Sequence, residues 1–259
     1  MTRYQCRECR RREAQYRPQC PGCNAWDTFD ATAPTAAPSA GVSRMTDPLP
    51  GVRVMRCQSG VPWLDKAFSG GLTRGQRLLL GGGEGAGKTR LVLQLAFGWA
   101  CSMRRVLIVS GEMAPPDLQA VARQLGAVHG NMLLTGCTEL PALVSKIHEH
   151  KPGALIVDSL NTLHDPARRG DAGSNGQMKH CLAHLGRLCA DLRLPSVYLA
   201  HLNARDAVSG PRWIRHEVDA VALLTIDKGG RRELRVKKNR QGPETLTRLT
   251  MTAEGLRHD

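Results

Sequence analysis

Aromatic residues are what this chain has least of: 4% of 259 residues, in a sequence that is 41% apolar. With so few rings, a core must be assembled mainly from Leu, Val and Ala. Long apolar runs are missing too, and none approaches the ~18–20 residues of a membrane-spanning helix. The N-terminus, MTRYQCRECRRRE, carries charge where a secretory signal has its apolar stretch. Both absences point to a cytoplasmic protein with no membrane segment. Acidic residues are outnumbered, 23 against 36 basic ones, for a formal net charge of +13. Such an excess favours polyanionic partners, nucleic acid above all, although a solvated basic surface would produce the same number. No internal repeat is visible.

The length suits one α/β domain of roughly 200 residues with a small appendage. Three segments separate by composition. Residues 1–30 are basic and Cys-rich. Residues 31–56, beginning ATAPTAAPSAGVSRMTDPLPG, lack apolar periodicity and read as a linker. From 57 to 259, apolar runs at 77–81, 105–110, 154–158, 196–200 and 219–226 alternate with helical patterns, which implies a mostly parallel, covered sheet. Met178, Cys181, Leu182, Leu185, Leu188, Cys189 and Leu192 form one helical stripe, which core packing explains without any function. The runs 232–238 and 246–252 alternate around a Gly-Pro turn and predict an antiparallel hairpin.

Cysteine is plentiful, with nine in all. Nothing indicates secretion, so disulfides are disfavoured. Cys6-x2-Cys9 and Cys20-x2-Cys23 are two knuckles that together close a tetrahedral Zn²⁺ site with no open position. A redox dithiol or incidental cysteines are the competing readings. So small a unit cannot bury enough surface to fold alone, so the metal would supply its folding energy. Arg7, Arg10, Arg11, Arg12 and Arg17 surround it, either to meet nucleic acid or to keep it soluble. Cys57, Cys101, Cys137, Cys181 and Cys189 are scattered singly, as small core residues are.

GGEGAGKT, residues 82–89, fits G-x-x-x-x-G-K-[ST] between a strand and a helix, the setting a phosphate-binding loop needs. Gly82, Gly83, Glu84, Gly85, Ala86 and Gly87 would wrap backbone N–H groups around the phosphates of ATP. Lys88 would neutralise the β- and γ-phosphates, and Thr89 would bind Mg²⁺. Asp158, ending the strand ALIVD, would hold the Mg²⁺ shell through water. Glu112, after RVLIVSG, is placed by this reading on a strand next to the P-loop strand, where it would orient the attacking water. An exposed loop acid is the alternative. In RVKKNRQG, residues 235–242, Lys238 and Arg240 lie two apart in a strand, so both leave one face. They could meet a nucleic-acid phosphate, a nucleotide of the same chain, or one held by a neighbour.

In order, CPGCNAWDT, SGVPWLDKAFSGGLTRGQ, VSGE, LIVDSLNTL, LAHLN, SGPRWIRHEVD and KKNRQG resemble the bacterial RadA/Sms family over nearly the whole chain. These are DNA-recombination ATPases with a RecA-like core. Trp26 follows the last ribbon cysteine, and Tyr16 stands where the family usually has Trp. The resemblance implies an α/β fold: a RecA-like P-loop ATPase with a mostly parallel central sheet, plus a small N-terminal zinc ribbon. It implies ATP hydrolysis stimulated by single-stranded DNA, used in homologous recombination and repair, such as branch migration. Zn²⁺, ATP and Mg²⁺ are the implied cofactors. A homo-oligomeric ring such as a hexamer is implied, working with replication or recombination proteins. In such rings a Lys-x-Arg pair reaches the γ-phosphate of the adjacent subunit, so Lys238 and Arg240 would act in trans, with Asn239 facing its own subunit. Residues 164–177 and 202–212 would be flexible DNA-contacting loops carrying Arg168, Arg169, Arg205 and Arg212. His201 would be a γ-phosphate sensor, or else a buried structural His.

The chain also departs from the family. Family members continue into a Lon-protease-like domain, which a sequence ending soon after KKNRQG leaves out. Gln241 replaces the Phe of the hallmark KNRFG, Met-Ala follows SGE, and Glu84 stands beside the phosphates, as a Glu does in RecA itself. Two other functions compete: a zinc-ribbon adaptor using ATP only to oligomerise or dock a helicase, and a small-molecule P-loop kinase. The intact Lys88, Asp158 and Glu112 speak against the first. The ribbon and the Lys-x-Arg pair have no purpose in the second.

Overall fold

Runs of Val, Ile and Leu without polar interruption need cover on both faces, so their place is the middle of a sheet. The computed structural model describes residues 3–9, 11–13, 18–26, 28–32, 55–102, 105–201 and 212–259. Tyr16, Arg10, Arg17, most of the 31–56 linker and residues 202–211 lie outside them. The chain divides into two compact units, Met1–Arg53 and Val54–Asp259.

In the first unit β1 (Arg3–Cys6), β2 (Arg12–Glu13) and β3 (Phe29–Thr32) pair antiparallel in the order β2-β1-β3. Its buried core is Cys6, Cys20 and Phe29, with Tyr4 packed against them. So few apolar groups cannot offset the entropy of ordering the segment.

The second unit opens with the short pair β4 (Arg56–Cys57) and β5 (Leu72–Thr73), with α1 (Pro62–Ala67) between them. Then follow β6 (Arg77–Gly82), α2 (Lys88–Ser102), β7 (Val106–Ser110), α3 (Pro115–Gln124), β8 (Met132–Thr135) and α4 (Leu140–His150). β9 (Ala154–Asp158), α5 (Asn175–Asp191), β10 (Ser196–His201), α6 (Arg212–Glu217) and β11 (Ala220–Ile226) continue the alternation. The chain closes with β12 (Arg232–Asn239), β13 (Thr245–Thr252) and β14 (Gly255–His258). The sheet order is β14-β13-β12-β11-β6-β10-β9-β7-β8. From β11 to β8 every pairing is parallel, and β12, β13 and β14 add on antiparallel.

All five apolar runs are strands, and the hairpin is antiparallel as expected. β8 and β14 were not expected, since neither is long or alternating enough to stand out. Separate apolar clusters, dominated by Leu, pack against the sheet. Trp99 and Tyr198 are fully buried, and each finds a polar partner, the Cys57 carbonyl and the Cys189 thiol. Two details differ from the sequence reading. Leu192 caps α5 and is exposed, and Cys101 is an exposed helix-end residue rather than a core one.

Candidate active site and metal centre

β6 ends at Gly82 and α2 starts at Lys88, so residues 83–87 form the tight connection that presents the first N–H groups of a helix. Gly87 has φ +102°, and a Cβ there would lie 2.5 Å from Met251 Cε, so only glycine closes this turn. Lys88 Nζ donates to the Gly82 and Gly83 carbonyls at 2.9 and 3.0 Å. Burial pushes the Lys88 ammonium down, against the pull of Glu112, Asp158 and Glu84. Phosphate oxygens would replace those carbonyls and remove the penalty. Thr89 Oγ1 donates to Asp158 Oδ2 at 2.8 Å. Burial raises the Asp158 carboxyl above its ordinary value, the state expected of a carboxylate awaiting a cation. A hydroxyl and a carboxylate so close suit the oxygen-rich shell of Mg²⁺.

The strand carrying Glu112 is not next to the P-loop strand, as the sequence reading had it: β10 and β9 stand between β6 and β7. Glu112 nevertheless lines the same ≈ 640 Å³ cleft as Lys88 and Thr89. The approach depends on Gly111, where a Cβ would sit 2.0 Å from Thr162 Oγ1. His201 ends β10 opposite Gly82, and its Nε2 lies 2.7 Å from Glu112 Oε1. It is exposed, so the buried-histidine alternative falls. Burial alone would raise the Glu112 carboxyl, but Ser159, His201 and the charge of Lys88 hold it below its ordinary value. It therefore stays an anion, able to accept a proton or orient water. Arg90, Arg232 and Met251–Ala253 also line the cleft. Nothing in the sequence marked Arg232 and Met251–Ala253, because only the sheet order brings the chain's end beside the P-loop.

Lys238 and Arg240 sit at the other end of the sheet. Lys238 pairs with Val221, which pairs with Leu79, and the Arg240 N–H donates to the Asp219 carbonyl. Asp219 in turn contacts Arg77, at the start of β6. Arg77 and Gly82 are the two ends of the six-residue β6, about 17 Å apart at ~3.3 Å per residue. Neither cation can reach its own chain's P-loop. Asn239 turns inward, its Oδ1 accepting from Gln76 Nε2 at 3.3 Å.

In the first unit the Cys6, Cys9, Cys20 and Cys23 sulfurs all lie within 4.8 Å of one another. Cys6–Cys23 and Cys9–Cys20 are 3.6 and 3.5 Å apart. A tetrahedron with Zn–S bonds of ~2.3 Å has edges of roughly 3.8 Å, so the four thiols fit one ion. The Thr28 hydroxyl, 3.2 Å from the Cys6 sulfur, lowers that thiol to about 6, which eases thiolate formation. Arg7 and Arg11 pair with Asp30 and Glu13, so not all of the ribbon's positive charge is uncommitted.

Comparison with known families places the AAA domain over residues 44–207. The chain belongs to the AAA domain family. It is 30% identical over 253 residues to the DNA repair protein RadA of Mycobacterium tuberculosis, covering 93% of this chain and 53% of that protein. The RadA of Chlamydia trachomatis is 29% identical over 265 residues, 99% of this chain and 58% of the relative. That of Salmonella typhimurium is 29% identical over 269 residues, 97% and 58%. The chain thus spans a little over half the length of these curated relatives. A KaiC-like protein from Pyrococcus horikoshii OT3, 18% identical, shares the fold with a TM-score of 0.66 over 79% of this chain and 98% of its own. The RadA resemblance drawn from the motifs therefore holds along aligned sequence, and the fold is the RecA-like one expected.

In this AAA domain, residues 164–177 are not the slack loop the glycines suggested. The Gln177 side chain, 1% exposed, donates from Nε2 towards the carbonyls of Asp165, Arg168 and Gly170 and accepts from the Asp165 N–H. Asp165 also takes His180 Nε2 at 2.8 Å. Arg168 and Arg169 are exposed on this braced loop. Gln177 was missed although Ser174-x-x-Gln177 fits a helix-capping pattern, with Ser174 Oγ accepting the Gln177 N–H at 3.4 Å; that pattern marks a helix start, not a side chain turned to the loop's carbonyls. Among the described residues no helix is long and apolar enough to cross a membrane.

Proposed function

We propose that this chain hydrolyses ATP as one subunit of a homo-oligomeric ring acting on single-stranded DNA or recombination intermediates, in recombination and repair. Mg²⁺ held by Thr89 and Asp158 would screen the β- and γ-phosphate charge. The P-loop N–H groups and Lys88 bind the triphosphate, and Glu112 orients water against the γ-phosphorus. Lys238 and Arg240 of an adjacent subunit then meet the charge that builds up in the transition state. Arg168 and Arg169 offer sequence-independent contacts to the DNA backbone, and without aromatic residues on that loop base stacking adds little. The observation that carries this reading is the strand polarity, which puts the Lys-x-Arg pair at the opposite end of β6 from the P-loop. A pair that cannot serve its own site suits a neighbour's.

The test is ATPase rate against protein concentration, with and without single-stranded DNA, for wild type and Arg240→Ala. The expected result is a rate that rises cooperatively with concentration and increases with DNA. Arg240→Ala should lower it by about 10³-fold or more, as loss of an arginine finger does, with ATP still bound. A rate indifferent to concentration, DNA and Arg240 would leave the non-motor adaptor as the better account.

A further inference from the structure

Asp219 stands between α6 and β11 and accepts four hydrogen bonds. Its Oδ2 accepts from the Arg77 backbone N–H and from Arg77 Nε, both at 3.0 Å. Its Oδ1 accepts from Arg77 Nη2 at 3.2 Å and from Arg240 Nη1 at 3.1 Å. The side chains of Asp219 and Arg77 are 16% and 20% exposed, whereas that of Arg240 is 51% exposed. The backbone repeats the arrangement. Arg240 N–H donates to the Asp219 carbonyl at 3.0 Å, and Lys238 Nζ donates to the Val218 carbonyl at 2.7 Å. Two consecutive residues thus hold both members of the Lys-x-Arg pair.

The charges are arranged so that Arg240 can meet a second anion from within this hold. The Arg77 fork grips both Asp219 oxygens in half-buried surroundings, where paired hydrogen bonds to a carboxylate are strongest. When Arg240 shares its charge with a phosphate, Asp219 is still neutralised by Arg77. Gly186 in α5 leaves the Arg77 side chain close packing room, since a Cβ there would lie 3.0 Å from Arg77 Cδ. Glycine in mid-helix costs stability, and here the room it leaves is filled by the Arg77 side chain. Held through Nη1 with its side chain 51% exposed, the Arg240 guanidinium has further N–H groups to offer phosphate oxygens.

We propose that Asp219 is a positioning residue for the ATP site of the adjacent subunit, pre-setting the Arg240 guanidinium while Arg77 keeps its carboxylate satisfied. This rests on Arg240 acting in trans, and mixed assemblies separate the two ideas. Lys88→Ala chains cannot bind triphosphate productively but lend a finger. Arg240→Ala chains bind ATP but lend none. Mixed, they should recover turnover that neither shows alone, and a mixture that stays inactive overturns the trans reading and this proposal with it.

With recovery established, Asp219→Asn is added to one chain at a time. On the Lys88→Ala chain, which supplies the finger, it should lower the mixed rate about three- to tenfold, the effect of unfixing one long side chain. On the Arg240→Ala chain it should leave the rate where it was. Equal loss from either chain would reduce Asp219 to a structural residue, and no loss from either would remove it from the site. Arg77→Lys keeps the charge and gives up the fork. It should show the same chain-specific pattern more weakly, and serves if Asn at 219 prevents folding.

Discussion

Replacing Gln177 by Leu tests how the 164–177 loop is held. The amide has two N–H donors, and three carbonyls converge on Nε2: Asp165 at 3.1 Å, Arg168 at 2.8 Å and Gly170 at 3.0 Å. Oε1 receives the Asp165 N–H at 2.9 Å. Two donated bonds shared among three acceptors, plus one accepted, make about three hydrogen bonds of ~1 kcal/mol net each. Leu has similar bulk and no polar atom, and water reaches some of the freed carbonyls. The expected loss is therefore about 2–3 kcal/mol, read as a lower urea midpoint at unchanged slope. Gln177→Glu keeps the acceptor for the Asp165 N–H but turns a carboxylate towards three carbonyls, so it should lose at least as much. Trypsin gives a local readout, because Arg168 and Arg169 are exposed and Gln177 holds the Arg168 carbonyl and those of Asp165 and Gly170 on either side. Cleavage after them should accelerate in both variants. A leucine variant within about 0.5 kcal/mol of wild type, cut no faster, would refute the bracing argument.

Glu112→Gln should lower kcat at least ~100-fold, the usual cost of losing a positioned acid–base group, while a fluorescent ATP analogue still binds as in wild type. Equal losses in binding and turnover would show that Glu112 only shapes the cleft. Removing metal with a strong chelator should abolish amide-exchange protection in residues 3–32, whose buried core is Cys6, Cys20 and Phe29. Residues 55–259, with their own apolar clusters, should keep theirs. Protection of the ribbon that survives chelation would mean that the four cysteines do not depend on a metal.

Much of this protein could be read before folding, because certain physical requirements leave local marks. A P-loop needs glycines, a lysine and a hydroxyl within eight residues, and a buried parallel strand needs an uninterrupted apolar run. A zinc ribbon needs paired knuckles. These marked Lys88, Thr89, Asp158, the five apolar strands, the 232–252 hairpin and the four paired cysteines. What the chain could not state is which distant pieces become neighbours. β10 inserts between the P-loop strand β6 and the Asp158 strand β9, so Glu112 reaches the cleft from three strands away and meets His201 there. Met251 and Arg232 join that cleft from the chain's far end. Asp219 and Gln177 act through hydrogen bonds to groups that have no common location until the sheet and α5 are packed. Sequence specifies chemistry that is contiguous along the backbone. The tertiary structure alone decides contacts between segments, because each depends on strand order and register, which are set by the packing of the whole sheet rather than by any single stretch.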